Sequence, residues 1–277
     1  MNVKLIVAMC KNNGIGFNNK IPWKISEDMS YFSKKTTGKY PHDGNKKNAV
    51  IMGRNTWESL PKKYKPLPHR FNIVLTKNRQ LHSQEAALKD GNADVAYLSS
   101  LDDVVDLFYG QDEKGEKGEK GEKNRKSVLY NFNDIWIIGG SSVYEEFIKR
   151  DMNVSINAYN SIEISEYFIT YIDKEYECDT YFPLLENMNK YHLTQFEKHK
   201  CIDNNTPSDS PLNVYYIVFE KIKYTDKKVI EELFTPHKTK NGDNEEKNNL
   251  ILYIKNTNTG NYNSIEDFEI LFSMFRS

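Results

Sequence analysis

Cysteine is scarce in this chain and badly spaced for covalent or metal scaffolding. Cys10, Cys178 and Cys201 stand far apart in 277 residues, with no C-x-x-C pair, so neither a disulfide framework nor a zinc site is expected. The six histidines include no H-E-x-x-H. Long apolar runs are missing as well. The longest cover five or six residues, such as 5–10, far short of the ~20 that a membrane span needs. No charged region precedes an apolar segment at the start, so no export signal is expected. Nor does one sign of charge dominate: 38 basic against 39 acidic residues leave a net −1 and no global field for nucleic acid or an anionic membrane. A reduced, cytoplasmic, metal-free protein that binds neither nucleic acid nor membrane is the expectation.

What the chain does have is enough to fold on. Hydrophobic residues make up 38% and aromatics 13%, too many for a wholly disordered chain, and the length suits one or two domains. Residues 3–9 form a near-continuous apolar run, as in a strand buried on both faces. Further strands are expected at 49–52, 71–76, 95–98, 134–138, 167–172, 191–200 and 214–223. Helices are expected after Ser26, which offers an N-cap, from 54 to Pro61, after Ser100, and from Ser141 to about 149. Two stretches interrupt this alternation. Residues 111–126 carry a Glu-Lys-Gly repeat that reads as a solvated, flexible insertion, since three triplets without proline cannot hold a collagen helix. Residues 151–163 read as a second surface insertion, and 224–277 as a linker or docking segment whose partner lies elsewhere.

Four short segments carry chemical potential, each weak alone. Gly14-Ile15-Gly16, followed by Ile21-Pro22-Trp23, is either a plain turn or a loop whose backbone approaches a ligand closely. Asp28 is either dipole complement in a first helical turn or, with Phe32 four residues on, one half of a heterocycle clamp. The acid would take paired N–H donors while the ring packs on the heterocycle's face. At Gly53-Arg54-Asn55-Thr56, a strand end meets a cation and a hydroxyl, with Thr76 and Lys77 at the end of another strand. Ile138-Gly139-Gly140-Ser141-Ser142 leads a buried strand through glycines into a helix, where backbone amides can meet phosphate.

In this order, and with the runs Leu67-Pro68-His69-Arg70-Phe71 and Glu177-Cys178-Asp179-Thr180, these segments resemble dihydrofolate reductase over about residues 3–223. The resemblance implies an α/β fold of three layers, a mostly parallel eight-stranded central sheet flanked by helices. It implies reduction of 7,8-dihydrofolate to tetrahydrofolate by NADPH, and block by antifolates. The tail from 224 is similar to the junction in protozoan enzymes that fuse this reductase to thymidylate synthase, so a synthase domain is an expected partner.

Site roles follow from the same resemblance. Asp28 matches the buried acid facing the pterin, Trp23 the holder of an ordered water, and Thr170 a hydroxyl behind the acid. Ile6, Val7, Ala8, Phe32 and Ile138 match the pocket around pterin and nicotinamide, with Leu67 beside the benzoyl group and Arg70 at the glutamate α-carboxylate. Met29, Asn55, Thr56 and Ile138 lie where pocket shape sets antifolate response. Ala8, Ile15, Gly16, Arg54, Asn55 and Thr56 match NADPH contacts. Thr76, Lys77, Gly139, Gly140, Ser141, Ser142, Val143 and Tyr144 complete that set, and the Gly139–Gly140 peptide is expected to be cis. Asn55 and Lys77 depart from the family's commoner residues at the cofactor phosphate. An ordinary aspartate near pKa 3.9 is protonated about once in a thousand at pH 7, so Asp28 is a poor acid unless burial raises it. Two other readings keep the fold: a nucleotide-binding domain without activity, and a reductase of a pyrimidine ribosyl intermediate of riboflavin synthesis.

Overall fold

A computed structural model describes residues 2–38, 46–78, 94–109, 132–152, 162–183, 185, 188–206 and 210–222. The Glu-Lys-Gly repeat and the tail from 224 lie outside the described residues. The central sheet has eight strands in the order β5-β4-β3-β6-β1-β7-β10-β9. These are β1 (Asn2–Cys10), β3 (Asn48–Gly53), β4 (Arg70–Leu75), β5 (Val95–Leu98), β6 (Ile135–Gly139), β7 (Glu163–Ile172), β9 (Tyr191–Cys201) and β10 (Leu212–Lys221). Strands β1 and β3 to β7 pair in parallel, and β10 runs against both its neighbours, β7 and β9. A small two-stranded sheet joins β2 (Gly14–Gly16) to β8 (Thr180–Tyr181).

Side chains alternate across each strand, so consecutive residues feed opposite cores. On β1, Val3, Leu5, Val7 and Met9 enter one core while Ile6 enters the other; on β3, Ala49 and Ile51 oppose Val50 and Met52. Helices α3 (Leu101–Tyr109) and α4 (Ser141–Met152) cover the first face through Leu101, Val104, Val143 and Phe147. Helices α1 (Ser26–Thr37) and α2 (Arg54–Ser59) cover the second through Phe32 and Trp57. That double cover explains the near-continuous apolar reading of β1 and β3. Among the described residues no helix is long and apolar enough to cross a membrane.

Two local expectations change. Helix α1 is capped at Ile25, not Ser26, with no side-chain cap bond. Ile25 is fully buried and anchors the entry to the helix in place of a polar cap. The stretch 151–163 is not all insertion. Asp151 belongs to α4 and is buried, accepting bonds from Ile164 N (3.0 Å) and the Tyr191 hydroxyl (3.0 Å), and Glu163 already opens β7. Its carboxylate ties the helix end to the strand start.

Candidate active site

The parallel strands end on one side, where open α/β sheets form ligand crevices. Neighbouring strands β3 and β6 both end in glycine there. A Cβ on Gly53 would stand 3.1 Å from Val143 Cγ2, and one on Gly139, where φ is +98°, would strike the Tyr144 ring at 2.7 Å. The turn from β6 into α4 therefore requires a residue without a side chain at 139. The Gly139–Gly140 peptide is cis. In the first turn of α4, the amides of Val143 and Tyr144 both bond to Gly140 O (3.0 Å each). Those of Ser141 and Ser142 come too early in the helix to have an intrahelical acceptor. Ser141 Oγ donates to Tyr181 O (2.6 Å), while Ser142 is exposed. Val143 and Tyr144 turn their side chains into the core, and the Tyr144 hydroxyl donates to Ile6 O on β1 (2.8 Å).

Asp28 sits in the first turn of α1 and is 3% exposed. Burial pushes its carboxyl up from 3.8 to about 6, against the opposing pull of Thr170 and Trp23 beside it. No basic side chain pairs with it among the described residues. Thr170 is buried on β7, in register with Ala8 of β1 and Tyr216 of β10. Trp23 is buried, and its Nε1 makes no hydrogen bond of ordinary length among the described residues. It therefore acts on Asp28 as a nearby donor rather than through a formed bond.

Arg70 is the second buried charge, also 3% exposed. Nη1 donates to Thr36 Oγ1 (2.7 Å) and Nε to Pro68 O (3.0 Å), and the guanidinium lies 5.9 Å from the Phe32 ring centre. Burial pulls its pKa down to about 10. Among the described residues it has no carboxylate partner. Ile6, Leu67 and Phe168 belong to one apolar cluster, with Phe32 and Ile138 packed on it. Asn72 fixes the Leu67 loop by accepting from Leu67 N (3.0 Å) and donating to Leu67 O (3.1 Å).

Other expected residues are placed differently. Val7 points into the opposite core and offers this side only its backbone. Met29, one residue past Asp28 and about 100° round the helix, is 43% exposed and outside the apolar cluster. Arg54 and Asn55 are exposed, and Arg54 bonds Glu58 one turn on (3.0 Å). Thr56 is half-buried, 3.4 Å from where a Gly140 Cβ would lie. Thr76 is buried at the end of β4 and Lys77 is exposed. Ile15 is half-buried, and Gly16 O accepts from Asp179 N (3.0 Å).

Four supporting residues, Thr36, Asn72, Tyr176 and Asp203, were not expected from the sequence. Thr36 links Arg70 to the α1 backbone, since its hydroxyl also donates to Phe32 O (2.8 Å). Asp203 accepts from Lys24 N and from the Tyr176 hydroxyl (2.8 Å each), and Tyr176 packs on the Trp23 ring at 5.3 Å. Asp203 thus holds Trp23 from both the backbone and the ring. Only Asn72 left a signal, as a polar residue inside an apolar strand run.

The family model for dihydrofolate reductase matches residues 2–217. Among curated relatives, a dihydrofolate reductase of Heliothis virescens is 30% identical over 220 residues, covering 79% of this chain and 97% of its own. That of Drosophila melanogaster is 35% identical over 181 residues, 65% of this chain and 79% of the relative. A bifunctional dihydrofolate reductase-thymidylate synthase of Daucus carota is 32% identical over 183 residues, 66% of this chain and 28% of the relative. The glycine-ended strands, the isolated buried acid and the isolated buried cation therefore have a family context, and the chain belongs to the dihydrofolate reductase family.

Proposed function

We propose that this chain reduces 7,8-dihydrofolate to tetrahydrofolate with NADPH, using Asp28 and Arg70 to grip opposite ends of the substrate. The observation that carries the reading is that these two buried charges have no opposite charge beside them among the described residues. An unpaired buried charge costs several kcal/mol, so both suit a ligand that brings the complement. A pterin offers adjacent N–H donors to a carboxylate, and a glutamyl tail offers a carboxylate to a guanidinium. The apolar cluster of Ile6, Phe32, Leu67 and Ile138 suits the rings between.

With a carboxyl near 6, about one Asp28 in ten is protonated at pH 7, some hundredfold more than for an ordinary aspartate. Asp28 then orients and polarises the pterin, and a water reaching the buried Trp23 Nε1 passes the proton to N5. Thr170 steadies the carboxyl from behind.

The turn at Gly139 and Gly140 fits a dinucleotide, because the Ser141 and Ser142 amides remain for a phosphate. By the family resemblance, Gly16, Ile15 and Ala8 would hold the nicotinamide end, and Arg54, Asn55, Thr56, Thr76 and Lys77 the phosphate end. When bound, NADPH supplies the hydride that arrives at pterin C6. Mixing protein, NADPH and dihydrofolate tests the reading: absorbance of the reduced cofactor falls and an antifolate stops the fall. A flat trace would contradict it.

A further inference from the structure

We infer that Cys10 and Cys178 form a disulfide on exposure to a peroxide, and that this bond locks the loop beside the active site. Cys10 ends β1 and is fully buried; Cys178 lies in the strap leading into β8 and is part-exposed. Their sulfurs stand 3.8 Å apart. A disulfide needs about 2.05 Å, so the two sulfurs must close by less than ~2 Å. Gly14 makes the approach possible: a Cβ there would overlap Cys178 Sγ and lie 3.0 Å from Cys10 Sγ. The Cys10 thiol meanwhile donates to Asn12 Oδ1 (2.8 Å).

The chemistry balances with one peroxide. Cys178, as thiolate, attacks a peroxide oxygen; the O–O bond breaks, leaving a sulfenic acid and a hydroxide that takes up the thiol's proton. Cys10 sulfur then attacks Cys178 sulfur, the S–O bond breaks, and the departing hydroxide takes the Cys10 proton. Two thiols lose two electrons to the peroxide, which leaves as two waters. Burial and the neighbouring Cys10 push the Cys178 thiol up to about 12, so thiolate is scarce near neutrality and the cross-link forms slowly.

The bond would fall where the loop is already stitched to the strap. Lys11 N bonds Lys174 O (3.1 Å), Phe182 N bonds Asn13 O (2.8 Å), and Asn18 N bonds Asp179 Oδ2 (2.8 Å). These stitches can open one by one, whereas a covalent tie at the base holds the loop down. Loop opening often limits turnover, so the cross-linked form turns over more slowly. This last step rests on the reductase reading; the cross-link itself does not.

The test treats the full chain with hydrogen peroxide at pH 8.5. Expected are a mass loss of about 2 Da, a joined Cys10–Cys178 peptide and a fall from three free thiols to one. Turnover should fall at least ~3-fold and return with dithiothreitol. Cys178→Ser should show neither the mass loss nor the slowing, and Cys201→Ser should show both. Three thiols surviving, a cross-link through Cys201, or full turnover in the cross-linked protein would each overturn the inference. Turnover of the reduced protein tests the reductase reading separately.

Discussion

Arg70 Nη1 donates a 2.7 Å hydrogen bond to Thr36 Oγ1, and that hydroxyl in turn donates a hydrogen bond to Phe32 O one helical turn back. A cation on β4 is thereby fixed to the helix that carries Asp28. The two charges that define the site share one rigid mount.

Thr36→Val removes the acceptor while keeping the shape. A bond to a charged donor is worth about 1.5–3 kcal/mol, so KM for dihydrofolate should rise roughly 10- to 100-fold with kcat little changed. Steady-state kinetics with a substrate lacking the glutamyl carboxylates provides the control. If that substrate lost as much as dihydrofolate, Thr36 would not act through Arg70.

Asp28 should also shape stability. Its carboxyl binds a proton more tightly folded, near 6, than unfolded, near 3.8. Its stabilising contribution is thus full below pH ~3.8 and is lost as pH rises through ~6, a change of about 3 kcal/mol at most. Ligand-free Asp28→Asn should therefore melt above wild type at pH 8, with the gap closing toward pH 4. Thermal denaturation across that range checks it; a gap that widens toward pH 4 would reverse the sign.

Much of this architecture was legible along the chain. Apolar runs ending in Gly53 and Gly139 marked buried strands turning into helices, because both the periodicity and the turn chemistry are local. Asp28 and Arg70 were legible as residue types within motifs. Asp203 was not, since it meets Lys24 and Tyr176 only through tertiary folding. Asp151 falls within the stretch expected to be a surface insertion, yet its carboxylate is buried against Tyr191, a contact made only through tertiary folding. Met29 is 43% exposed, because one residue past the buried Asp28 is about 100° further round the helix.

Asp203→Ala should free Lys24 N and the Tyr176 hydroxyl together. Loss of bonds to a carboxylate predicts about 1.5–3 kcal/mol off the unfolding free energy. Because Trp23 loses both supports, kcat should fall about tenfold even where the protein is fully folded. Denaturant titration beside kinetics separates the two effects, and unchanged kcat would free Trp23 from this support.

Arg54 offers a cleaner separation. Its exposed pair with Glu58 is worth about 0.3–0.5 kcal/mol, so Arg54→Ala should barely change stability. If the guanidinium meets the cofactor's extra phosphate, preference for NADPH over NADH should drop about tenfold or more. Rates with each cofactor in Arg54→Ala and Lys77→Ala decide this, and unchanged preference in both would remove these residues from the cofactor site.

The proposed grip of Asp28 on the pterin is tested most directly by turnover of Asp28→Asn at pH 7, with saturating NADPH and dihydrofolate. The loss of a positioned proton-handling group predicts a rate about 10²–10⁴ below wild type in a protein that still folds. Wild-type turnover in that variant would contradict the account at its centre.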